Sequence, residues 1–137
     1  MTTYESEIKT ISSNHEVVFA TLTDLSKAAQ FLDKIPEDAN ISDISCSTET
    51  IFFTVNPVGK IGLKIIEKEP HKTIKFGSIN SPIEFTLWIQ LVTAAEQETK
   101  MKITLKAAIP SMIKIMLDNK LEKFVNQLAD GIAKINY

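Results

Sequence analysis

The chain contains no arginine; all fifteen of its basic residues are lysine, set against seventeen acidic ones. Arginine supplies the planar fork that grips phosphate, carboxylate or guanine edges bidentately, so its absence argues against a phosphate-rich partner. The net charge of −2 provides no basic field for nucleic acid either. Cys46 is the single cysteine, which excludes a disulfide within the chain. No apolar run reaches the roughly 20 residues that span a bilayer. The opening "MTTYESEIKT" has neither the basic region nor the apolar run of a signal peptide. Four glycines stand apart at positions 59, 62, 77 and 131, so no glycine-rich phosphate loop exists. Repeats, low-complexity tracts and linkers are missing as well. A soluble, cytoplasmic protein with no nucleic-acid partner and no integral membrane segment is expected. At 137 residues it reads as one domain, 1–137.

What is present is a change of period along the chain. "YESEIKTIS" (4–12) alternates loosely and predicts a strand. Ser13 and Glu16 have capping-box spacing ahead of a short helix, "EVVFATLT". Asp24 caps a second helix, "LSKAAQFLDK", which Pro36 ends. From Ile41 to Ile109 the period is two, and six strands are expected at 41–46, 49–55, 60–68, 73–79, 83–94 and 100–109. Short connections make them antiparallel. In "NPVG" (56–59), Pro57 and Gly59 suit a three-residue loop with a bulge, which pairs Val55 with Ile61, Phe53 with Leu63 and Ile51 with Ile65. A three-residue loop in "EQETK" likewise puts Leu91 opposite Leu105 and Ile89 opposite Ala107. Residues 111–135 form the one long helix, with Ile113, Leu117, Leu121, Phe124, Leu128, Ile132 and Ile135 on one stripe. The predicted class is α+β: a curved seven-stranded antiparallel sheet wrapped around a long C-terminal helix, with two short helices after strand 1.

"YESEIKTISSNHEVVFATLTDLSKAAQFLDKIP" resembles the start of the SRPBCC superfamily, the helix-grip fold of START-like domains and polyketide cyclases: a strand, a polar break, a "VF…L.D" helix, a second helix and a proline. "IGLKIIEKEPHKTIKF" is similar to its middle hairpin. The order of elements matches over essentially the whole chain. A tryptophan that many cyclase-like members carry near the second helix is replaced here by "AAQFLDKIP". The resemblance implies a cavity between sheet and helix, holding a sterol, lipid, polyketide or other apolar molecule. Members include carriers, enzymes and co-chaperones.

The expected lining follows from the inward face. It comprises Tyr4; Phe53 and Val55; Leu63 and Ile65; Phe76; Phe85, Leu87 and Ile89; Leu105; and Ile113, Leu117 and Leu121 of the helix. Strand direction sorts the loops. "NPVG" and "SINSPI" fall beside the start of the long helix, and the polar turns fall at the other end. Val58, Ile79, Ile83, Met112 and Met116, with Ile115, therefore gather as an apolar rim. Three outcomes stand open there: a filled core, a portal, or a dimer patch, so the chain is expected as monomer or homodimer.

No nucleophile–base pair is placed on the inward face, and no catalytic residue or cofactor is expected. The Tyr4 hydroxyl either packs at the rim or orients a ligand. His15, His71 and Cys46 fall at the polar end without the close spacing of a metal motif, so no metal site is expected. Trp88, on the outer face, is either shielded by lysine stems or marks a protein contact. The leading expectation is a binding protein for a small apolar ligand. A polyketide cyclase-like enzyme and an interaction module are the alternatives.

Overall fold

The computed structural model describes residues 2–27, 41–55, 59–135 and 137, without the side chains of Lys27, Ile41 and Val55. Its elements are β1 (Thr2–Glu5), β2 (Lys9–Ile11), α1 (His15–Leu22), a 3-10 turn (Leu25–Lys27), β3 (Ile41–Cys46), β4 (Thr50–Val55), β5 (Gly59–Glu69), β6 (Thr73–Ser78), β7 (Phe85–Ala95), β8 (Glu98–Ala107) and α2 (Ser111–Ala133). The sheet is antiparallel and open, in the order β1-β8-β7-β6-β5-β4-β3, with β2 also on β8. It meets the expected α+β helix-grip architecture.

The strand expected over 4–12 is two strands, which raises the count among the described residues to eight. Ser6 causes the break. Its hydroxyl accepts from the buried Ile103 N–H at 2.9 Å and donates to the Glu7 carbonyl at 2.9 Å. A side chain thus takes over part of the ladder, and the backbone bends away through Glu7 and Ile8 before β2 resumes pairing at Lys9↔Met101.

Both hairpin registers differ from the expected ones. Val55 pairs with Gly59, Phe53 with Ile61 and Ile51 with Leu63, a slip of two residues. Gly59 has φ +108 and belongs to the strand, where the expected loop had placed it in the turn. On the second hairpin Leu91 pairs with Met101 and Ile89 with Ile103, a slip of four. Thr99 is drawn into the strand, where its hydroxyl donates to the Ser13 carbonyl at 2.9 Å, and the turn tightens to Glu96–Gln97. Both slips are even, so every side chain keeps its face.

The cap of α1 is Asn14, not Ser13; its side chain accepts from the Glu16 N–H at 2.8 Å. Asp24 caps the 3-10 turn through the Ser26 N–H. The expected second helix beyond Lys27, including Pro36, lies outside the described residues. Bulges interrupt β3, β5 and β7, and each adds local bend and twist. In β3 the bulge contains Asp43 at φ +54, a conformation that Asp tolerates better than most residues.

The helix α2, about 34 Å long at about 1.5 Å per residue, runs antiparallel to β8 and beside β1 and β2. Phe124 of α2 also stacks on Phe53 of β4, with ring centroids 6.4 Å apart. One helix therefore touches strands from both halves of the sheet, which is the grip.

Candidate functional site

The concave face of the sheet is built by the period-two apolar positions. Phe53, Leu63, Phe76, Phe85, Leu87, Ile89 and Leu105 are all buried in the core with Leu117 of α2. Ile65, Ile113 and Leu121 are partly buried against the same core. The side chain of Val55 lies outside the described residues. Among the described residues the buried polar side chains are Ser6 and Thr99, and both are spent on backbone groups.

Tyr4 is buried, but its hydroxyl turns toward α2 and donates to Asp118 Oδ1. Burial, and then the Asp118 hydrogen bond and charge, push the phenol well above its ordinary pKa. The Asp118 carboxyl is held low by the Tyr4 hydrogen bond and then by Lys114, whose ammonium lies 3.0 Å from Oδ2. Near neutral pH this leaves a protonated phenol facing an ionised carboxylate. With both carboxylate oxygens engaged, the group rivets helix to strand and is poorly set up as a general base.

This rivet is the first of three along one seam. The Glu7 N–H donates to Asn126 Oδ1 at 2.8 Å, and the Lys9 ammonium pairs with Asp130 at 2.7 Å. Asp118, Glu122, Asn126 and Asp130 recur every four residues, so they share one face of α2. Near the first rivet a polar pocket of about 440 Å³ opens between β1 and α2, lined by Thr2, Tyr4, Lys114, Asp118 and Glu122 among others. Sequence reasoning missed this seam. Its signal was the i+4 repeat, which reads equally well as a solvated face.

The apolar rim is only partly assembled. Strand pairing places the Val55/Gly59 end of the β4–β5 hairpin and the 79–84 connection at the α2-start end. Ile83 is buried and Ile79 half-buried, whereas Met112 is 92% exposed, Ile115 88% and Met116 60%. Val58 lies outside the described residues. Burial along α2 deepens away from this end: Val125, Ala129 and Ile132 are fully enclosed.

No family model matches the sequence, and no curated protein matches it. Solved structures do match. Norcoclaurine synthase from Thalictrum flavum, in complex with dopamine and hydroxybenzaldehyde, superposes with a TM-score of 0.68 at 15% identity, over 97% of this chain and 86% of that one. A START superfamily protein from Mycobacterium smegmatis gives 0.65 at 10% identity, over 98% and 99%. A conserved protein from Geobacillus kaustophilus gives 0.69 at 13% identity, over 97% and 93%. The chain has the START-like helix-grip fold.

Within this START-like frame the β6–β7 connection is tied down. A Cβ on Gly62 would lie 2.4 Å from the Ile79 carbonyl oxygen and 2.6 Å from the Phe52 ring. The close approach at Gly62 is made by the chain's own backbone. The Ile79 N–H donates to the Gly62 carbonyl, and the Ser81 hydroxyl bridges the Gly62 N–H and carbonyl.

On the outer face Trp88 lies under two ammonium groups, Lys75 at 5.6 Å and Lys106 at 5.5 Å from the ring centroid, so the shielding reading accounts for it. At the opposite, polar end of the START-like fold the two histidines meet. The rings of His15 and His71 stand 5.1 Å apart, edge to face, and Phe19 flanks His71 at 5.6 Å. His15 Nδ1 is buried and has no hydrogen-bond partner among the described residues. No helix among the described residues is long and apolar enough to cross a membrane.

Proposed function

We propose that this chain binds a small apolar molecule, such as a lipid, a polyketide or another hydrophobic compound, between the concave face of the sheet and α2, without transforming it. The observation that carries the reading is the carbon-lined concave face together with the gradient along α2. The helix is sealed at its C-terminal half and bounded at its start by Met112 and Met116, a residue type that adapts to varied apolar partners. Pockets for small molecules are mostly apolar with few polar groups. The complex of norcoclaurine synthase with dopamine and hydroxybenzaldehyde supports the use of this fold as a container. An enzymatic reading draws less support from the described residues. Tyr4, the phenol expected in the lining, stays protonated and committed to Asp118.

Native mass spectrometry after gentle purification, with a thermal-shift panel of lipids and aromatic compounds, tests the proposal. One bound apolar molecule per chain is expected. Met112→Lys and Met116→Lys, at exposed positions, should change stability by less than about 0.5 kcal/mol yet alter the rate of ligand exchange. If no apolar compound is retained or raises the Tm, the proposal fails. Light scattering on the same variants separates the interaction reading, since only a dimer patch at the rim would lose mass on Met116→Lys.

A further inference from the structure

The chain has two histidines in all, and the fold brings them to one place. His15 opens α1, and His71 sits in the turn between β5 and β6. Two anchors hold that end of the molecule together. The Asn14 amide donates to the Glu96 carbonyl at 3.0 Å, and Thr99 holds the Ser13 carbonyl. Glu16 follows His15, and one ligand atom from each of His15, Glu16 and His71 lies within 4.8 Å of the others. His71 adopts φ +63, a left-handed conformation that few residue types accept. Phe19, one turn beyond His15, packs edge-on against the same ring.

We propose that His15, His71 and Glu16 form a site for one divalent transition-metal ion of the zinc class. Two imidazoles and a carboxylate are the donor set that such ions favour over magnesium or calcium. A tetrahedral zinc with bonds of about 2.0–2.1 Å holds its ligand atoms about 3.3 Å apart, so the three groups need only close a short gap. Glu16 is exposed, and rotation of its side chain supplies that movement. His15 Nδ1 is buried and none of the described residues hydrogen-bonds to it, which leaves this nitrogen in need of a partner. Either ring nitrogen can ligate a metal. One term opposes the site: the N-terminus of α1 repels a cation. The Glu16 carboxylate in the first turn offsets it. Three protein ligands leave a coordination position open to water or an external donor. The bound ion would tie α1 to the β5–β6 turn, at the end of the sheet remote from the apolar rim.

The test uses the full chain without a polyhistidine tag. Zinc is titrated calorimetrically, and cobalt(II) is added as a spectroscopic probe of tetrahedral coordination. The expected result is one zinc per chain, a rise in Tm on binding, and visible bands from bound cobalt that zinc displaces. His71→Asn keeps a residue tolerant of positive φ, and Glu16→Gln changes an exposed group; both should fold like wild type. Each should weaken zinc binding by about tenfold or more, and His15→Gln should do the same. If wild type takes up no stoichiometric zinc, the proposal is overturned. It is equally overturned if His71→Asn and Glu16→Gln bind zinc as wild type does, since the ion would then sit on carboxylates elsewhere.

Discussion

Replacing Gly62 by alanine adds one methyl group at the most crowded glycine of the sheet. The new carbon would stand 2.4 Å from the Ile79 carbonyl oxygen and 2.6 and 2.8 Å from two Phe52 ring carbons, all inside the 3.0 Å limit of real contacts. The ring has some freedom to tilt. The carbonyl has little, because residues 79–81 are fastened to Gly62 by the Ile79 N–H and twice by the Ser81 hydroxyl. Relief therefore means lifting this segment and losing hydrogen bonds worth about 0.5–1.5 kcal/mol each. Overpacking alone costs about 1–3 kcal/mol. A total near 3 kcal/mol is expected, which for a chain of this length lowers Tm by about 10 °C. Urea unfolding followed by far-UV circular dichroism measures it, with the slope unchanged. Two companions separate contact from conformation. Gly77→Ala meets only the side chain of Ile66, at 3.2 Å, and Ile66 is half exposed and free to swing, so less than about 0.5 kcal/mol is expected. Gly59→Ala meets nothing within 4 Å but sits at φ +108, so it should cost about 1–2 kcal/mol through the backbone alone. The reasoning is refuted if Gly62→Ala proves no costlier than Gly77→Ala. If it holds, the 79–83 segment beside the apolar rim is rigid, and Gly62→Ala should also speed ligand release.

Two further perturbations bear on the seams of the fold. Both tyrosines of the chain, Tyr4 and Tyr137, have phenols raised above 10.0, chiefly by burial. A raised folded pKa means that the stabilisation is complete below the unfolded pKa near 10.0 and is lost as pH climbs above it. Alkaline titration should then show phenolate absorbance rising together with loss of the far-UV signal; phenolate appearing first, in a still-folded chain, would contradict this. Ser6→Ala leaves the buried Ile103 N–H without its acceptor and should cost about 1–3 kcal/mol. Chemical denaturation checks this, and a cost near zero would mean that water replaces the hydroxyl.

Which parts were legible in the sequence follows from what periodicity encodes. The faces of β4, β5, β7 and β8 were readable because Phe53, Leu63, Leu87 and Leu105 stand in strict alternation, and alternation survives any even slip. For the same reason it could not fix the register, and both hairpins moved by even steps. The apolar stripe of α2 was plain at steps of three and four. Its polar counterpart, Asp118 through Asp130, carried an equally regular spacing, but charge on a helix surface does not say whether water or an edge strand will receive it. The break at Ser6 depends on one hydroxyl reaching one buried N–H, a distance that no window of sequence contains. The meeting of His15 and His71 is longer-range still, since it arises from where α1 docks against the turns of the sheet.

The broken first strand and the bulged last one have a consequence for how copies of this chain meet. An open sheet exposes two rows of unpaired backbone groups, and a straight, regular edge invites another molecule's strand. Here one border is cut into segments of four and three residues, with α2 riveted alongside, and the other is kinked at Asp43. Neither offers a long flat template, so end-to-end sheet growth into fibres is disfavoured even though the sheet never closes on itself.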